Sequence, residues 1–389
     1  MSPLSAASKF CGITGLHMGY PGSVAYRRVG HTRPVLMTRP LIGNEDHMAA
    51  ANWYRDLFRI DSSQISVLLF VRVAIAVGTP LLVFWLAGHG SAAVVGGATA
   101  LLVSLCDIGR TRRERTGTMA LAAVAMLIGG FIGAKFGLTT LADETLILVS
   151  AFVAGWVSAS HPGISAVARF AALATAAGVG MQITDPVAAA AVLFGGAGAM
   201  AAAYAMWLLR EVRPDENFMD WAAGVHRAIA GTGAGFWFAV CFAGACAFSL
   251  FAAKQLGVQN PYWATFTVVV VMRREGMVSL KLASLYMLGT IAGVPCATIL
   301  AQFSIGYPLV QIALATLAAA FVRLGFALNA ALGYLGFTVF VVLLVELARE
   351  SAVPPTELVL TRLYDVGVGC AIALVATLIA KTEYWRRRR

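Results

Sequence analysis

A few charged and hydroxyl-bearing residues stand in stretches otherwise too apolar to hold them. Arg362 and Asp365 are three apart, so on a helix they share a face. There they form either an ion pair or, in the sharper reading, a carboxyl that takes up and releases a proton. Arg169 falls about 8 Å inside an apolar segment at helical rise, and Arg72 lies close to the end of another. Each arginine either offsets the charge of a bound anion in a low-dielectric site or reaches out to the membrane surface. Ionisable residues within such segments mark functional sites by default. Tyr262, Trp263, Thr265 and Thr267 open a short apolar segment. Free amides and partial positive charge at a helix N-terminus, beside two aromatic rings, suit a carboxylate that carries a ring. The competing reading places Tyr262 and Trp263 in an interfacial aromatic belt.

Other chemistries find little support. His89 and His161 fall in loops and His226 neighbours Arg227, none with a second ligand at metal spacing. The six cysteines are scattered without a CxxC pair, so neither a metal site nor a disulfide framework is expected. No Ser/His/Asp grouping or phosphate-binding glycine loop stands out, and neither enzymatic activity nor a cofactor is expected.

The elements that position these residues are membrane helices. The chain is 59% hydrophobic and 12% charged, with a mean hydropathy of +0.78. Soluble domains carry about 25% charged residues, so the lipid bilayer is the first partner. Long Ala/Leu/Val/Gly-rich runs without alternation favour helices over a β-barrel. The formal charge of +10 does not indicate nucleic acid, because the basic residues sit in short loops and at Arg386 to Arg389, where a topology signal belongs.

Candidate segments are 65–87, 91–105, 117–137, 145–158, 164–182 and 186–209, then 232–253, 262–272, 279–301, 308–321, 324–345 and 364–381. Arginines at 110, 112, 113, 115, 210, 213, 227, 273, 274 and 323 alternate with acidic loops at Asp143, Glu144, Asp185 and Glu346. Lys135, Lys254, Arg349 and Arg362 break the alternation. The pattern predicts an all-α polytopic protein of about twelve crossings, with both termini in the cytoplasm.

The two sets of six form two parallel repeats, 51–210 and 232–389, joined by a cytoplasmic linker at 211–231. Residues 1–50, rich in Pro and Arg, read as a disordered extension or a start placed too early, with Met48 as the true start. Gly129 and Gly133 in the third segment match Gly289 and Gly293 in the ninth, and with Thr290 they predict close helix packing. Asp185 opens the sixth segment as Asp365 opens the twelfth. Each set also holds a segment too short to span, ended at once by arginines: Ser91 to Leu105, and Pro261 to Met272. A spanning helix needs about 20 apolar residues, and paired short segments in two repeats point to a transporter's binding site.

The run Asn260-Pro-Tyr-Trp-Ala-Thr-Phe-Thr-Val-Val-Val-Val, then Leu288-Gly-Thr and Gly293, then Arg362, Asp365 and Gly369, resembles the fusaric acid resistance family of bacterial inner-membrane proteins. That family includes aromatic acid exporters such as p-hydroxybenzoate efflux pumps. The resemblance covers about 60–389 and implies export of a small organic anion, an aromatic acid, driven by the proton gradient. The expected substrate contacts are Tyr262, Trp263, Thr265 and Thr267 of the short segment, with Arg169 offsetting the charge, and a periplasmic adaptor protein and a homo-oligomer are candidate partners. Departures are the lack of a cytoplasmic domain between the halves and the turn Met272-Arg-Arg-Glu-Gly-Met. A passive anion channel and a membrane scaffold without transport of its own are the alternatives.

Overall fold

The computed structural model describes residues 66–209 and 235–386, apart from short gaps at 110, 138, 159–161, 182–183, 259, 275 and 349–354, together with His226. The extension expected at 1–50 and, but for His226, the linker at 211–231 lie outside the described residues. Those residues form twelve helices. The first six are α1 (Val67–Leu86), α2 (Gly90–Leu105), α3 (Arg112–Phe136), α4 (Thr140–Val157), α5 (Pro162–Met181) and α6 (Pro186–Leu209). The second six are α7 (Gly235–Gln255), α8 (Tyr262–Val271), α9 (Gly276–Ser304), α10 (Pro308–Leu328), α11 (Ala330–Ala348) and α12 (Pro355–Arg386). Nine of them are long and apolar enough to cross a membrane, and α2 and α8 are the short apolar ones. Side chains such as Ile75, Phe131, Phe303 and Leu378 point outward, as a bilayer requires.

Local chemistry sets the boundaries. Thr111 and Glu114 close a reciprocal capping box at the start of α3. Gly88 and Gly257 take positive φ two residues past α1 and α7. Each closes the same pair of bonds: Gly88 and His89 donate to Trp85 and Phe84, and Gly257 and Val258 donate to Lys254 and Ala253. These are the left-handed helix endings that glycine allows, and each delivers the chain to a short helix.

Packing follows one scheme in both sets. α3 lies on α5 as α9 lies on α11, α2 on α6 as α8 on α12, and α1 on α2 and α6 as α7 on α8 and α12. The sets meet through α4 on α7 and through α10 on α1. A Cβ on Gly129 would come within 2.7 Å of the Ala171 carbonyl oxygen, and one on Gly133 within 2.9 Å of the Val179 nitrogen. Across α9 and α11, a Cβ on Gly289 would meet Tyr334 Cβ at 2.6 Å, and one on Gly293 would meet Thr338 Cβ at 2.9 Å. Thr290 is fully buried in the same seam, 3.5 Å from the Thr338 hydroxyl.

Three expectations are corrected. Arg323 is not a loop residue: it lies inside α10, 8% exposed, and the break before α11 falls at Asn329. α12 starts at Pro355 rather than near 364, so Asp365 sits well within it. Asp185 instead caps the first turn of α6, accepting from the Val187 amide at 2.8 Å, and is no counterpart of Asp365. Lys254, out of place in the charge pattern, is held 2.8 Å from Asp143, which ties α7 to α4.

A close seam between the short helix and α12 sits at Gly369, where a Cβ would lie 2.5 Å from Thr267 Cβ and 2.7 Å from the Ala264 carbonyl oxygen. Gly369→Val should therefore overpack α12 against α8, at a cost of about 1–3 kcal/mol or more. Gly244, with nothing within 4 Å of its would-be Cβ, should accept Ala with a gain of up to about 1 kcal/mol in helix propensity. Melting of the detergent-purified variants checks this contrast, and equal midpoints would contradict the packing.

Candidate functional site

The short helix α8 is the organising element. Its 10 residues reach about 15 Å at 1.5 Å per residue, half of the ~30 Å hydrocarbon core. Both of its ends must therefore be satisfied inside protein. The C-terminal end is closed by arginine. Arg169, from α5, donates through Nη1 to the carbonyl oxygens of Val269 (2.6 Å) and Met272 (3.0 Å), with its guanidinium 5.1 Å from the centre of the Phe242 ring. Arg273 adds a bond to the Met272 carbonyl at 3.0 Å. Arg169 thus answers the negative end of the α8 dipole in a capping role.

Most of the hydroxyl and aromatic residues expected at the substrate hold α8 in place. Thr265 donates to the Cys246 carbonyl at 3.2 Å and lies 3.1 Å from the Ser249 hydroxyl, fixing α8 to α7. Thr267 bonds back to the Trp263 carbonyl at 3.2 Å. Tyr262 is buried, with its ring laid over Gly180 of α5. It belongs to the interior, not to a lipid-facing belt.

The N-terminal end of α8 is different. Asn260 and Trp263 face Thr361, Arg362 and Asp365 of α12, and three valines of α11 (Val341, Val342 and Val345) complete the wall. The free space is about 10 Å³, room for a single water rather than for an organic acid. Arg362 is 3% exposed. It donates through Nη2 to the Tyr286 hydroxyl at 2.6 Å, and its guanidinium lies 4.6 Å from the centre of the Trp263 ring. Its Nε and Nη1 have no hydrogen-bond partner, nor has Asn260 Nδ2.

Asp365, 1% exposed, has no partner on either oxygen. The ion pair expected between Arg362 and Asp365 does not form, although the two are close enough to act on each other electrostatically. The cause lies in the neighbours. Tyr286 and the Trp263 ring draw the guanidinium aside, and the carboxylate is left without a donor. A buried charge lacking its full set of bonds is costly, and such a group persists where something is to be bound or moved.

Sequence reasoning singled out Trp263, Arg362 and Asp365, and the structure brings the three together at one cleft. It missed Tyr286 and Asn260. Tyr286 lies 76 positions from Arg362, and its only local signal was a phenol in the middle of an apolar helix.

A polytopic helical membrane protein, with a short helix ending at a buried and incompletely bonded charge cluster, is the class that this fold and site define. Residues 245–376 match the family described as fusaric acid resistance protein-like. That stretch runs from α7 into α12 and includes α8, Tyr286, Arg362 and Asp365, so the second six helices carry the pattern of that family. No curated protein and no solved structure matches the chain.

Proposed function

We propose that this protein exports a small organic anion, an aromatic acid, across the bacterial inner membrane in exchange for protons. The observation that carries this reading is the unfinished donor set at the N-terminal end of α8. Two N–H groups of Arg362 and the amide of Asn260 are buried without acceptors. A carboxylate would accept from them in charge-assisted hydrogen bonds, and the valines of α11 would receive its ring. Asp365, three positions on, is the group that would carry the proton. Binding of one partner would then alter the electrostatic setting of the other, which is the coupling that exchange needs.

The 10 Å³ of free space implies that the cleft opens to admit its ligand and closes around it, as carriers that alternate their access do. The matched packing of the two sets of six helices supports parallel repeats as the moving bodies, and the loop arginines support cytoplasmic termini. Family resemblance supports transport over catalysis.

The test is flux into proteoliposomes with an acid lumen and the voltage clamped by valinomycin and potassium. Labelled 4-hydroxybenzoate should accumulate inside while the lumen turns alkaline; passive partition of a weak acid would drive it the other way. Benzylamine should not accumulate. Uptake that follows voltage without any lumenal pH change would contradict proton exchange and leave a channel.

A further inference from the structure

Away from the cleft, at the end of α2, a second buried group of charges is left unbalanced. Arg72 of α1 donates through Nη1 to Asp107 Oδ2 at 2.5 Å. Arg115 of α3 has Nη1 at 3.7 Å from Asp107 Oδ1 and donates through Nε to the Gly109 carbonyl at 2.9 Å. Arg323 of α10 lies near enough for Asp107, Arg72 and Arg115 all to act on it electrostatically. Two guanidinium groups therefore meet one carboxylate, with a third within electrostatic range. All four residues are buried, at 8% exposure or less. The C-terminal dipole of α2 offsets only about half a charge.

Arg72 has a side chain 2% exposed, and its Nε and Nη2 have no hydrogen-bond partner. A buried guanidinium with unmet N–H groups is costly, so an acceptor that completed this set would be favoured.

We propose that Arg72, Arg115 and Arg323 form a second anion site beside Asp107, taking the carboxylate of the acid that the protein carries. The assignment rests on the reading of the protein as a carrier of organic anions. Burial within protein favours a small free carboxylate over a lipid headgroup. Asp107 follows α2 in the first set while Arg323 belongs to the second, so an anion held here would bridge the two sets where α1 and α10 join them. On the topology proposed above, the cluster lies toward the cytoplasm and the Arg362 cleft lies deeper. The two sites then stand in order along the path of an exported acid.

Equilibrium binding of labelled 4-hydroxybenzoate to the full-length protein in detergent tests this. Wild type should bind two per chain. Arg362→Gln and Arg323→Gln should each bind one, and the double variant none. Arg72→Gln serves as the second lesion of the same cluster if Arg323→Gln melts early, and Arg323→Lys should recover part of the lost binding. Two bound per chain in both Arg323→Gln and Arg72→Gln would overturn the second site. So would a single bound acid in wild type that Arg362→Gln removes, with the cleft reading intact. A single bound acid that survives Arg362→Gln but is lost with Arg323→Gln would support this site and sink the cleft. No binding at all would overturn both.

Discussion

Replacing Arg362 by Gln should abolish concentrative uptake of 4-hydroxybenzoate while the protein still folds. Gln keeps some hydrogen bonding but loses the charge and the reach of the guanidinium. Hydrogen bonds to charged groups contribute about 1.5–3 kcal/mol each, so losing two of them weakens binding by roughly 100-fold or more. Folding should survive for a physical reason. The wild-type guanidinium is buried with two N–H directions unmet, and removing an incompletely paired charge relieves desolvation while it gives up the Tyr286 bond and the Trp263 face. Arg362→Lys should recover little, because a compact ammonium does not reproduce the spread of guanidinium donors. Flux assays on Gln and Lys variants of matched melting temperature check this. Unchanged uptake by Arg362→Gln would remove the cleft from the pathway.

Asp365→Asn should separate transport from its driving force. The amide matches the carboxyl in shape but exchanges no proton. Acid-lumen proteoliposomes carrying this variant should bring 4-hydroxybenzoate to equal concentrations on both sides and no further, with no alkalinisation of the lumen. Binding should persist or strengthen, since a buried carboxylate near Arg362 competes with the ligand for its positive field. Accumulation equal to wild type would rule Asp365 out as the proton carrier.

Much of the architecture was legible because bilayer physics writes it plainly. Long apolar runs ended by loop arginines located the helices, and a short apolar stretch ended by Arg273 and Arg274 located α8. One error has a clear cause. Arg323 was read as a mark of the membrane surface, whereas it lies buried inside α10. A rule about solvated charges cannot see a charge satisfied by distant partners. For Arg323 the partner of opposite charge is Asp107, after α2; for Arg362 they lie on α8 and α9. Arg169 was found as a buried cation, but its acceptors, Val269 and Met272, are about 100 positions away. Only the fold distinguishes its capping role from a role at the ligand. The composition of the cleft was therefore half visible: its charges stood out, and its phenol and amide did not.

The account stands on the claim that the buried cleft beside α8 recognises a small organic anion. The most direct measurement is a thermal-shift panel on the detergent-purified protein with aromatic acids, aliphatic dicarboxylates, aromatic amines and neutral phenols. A ligand that binds only the folded state stabilises it by RT ln(1 + [L]/Kd), about 2.7 kcal/mol at a hundred times Kd. The account predicts a concentration-dependent rise with aromatic acids and none with amines or neutral phenols. A rise with amines alone, or with acids and phenols alike, would contradict it.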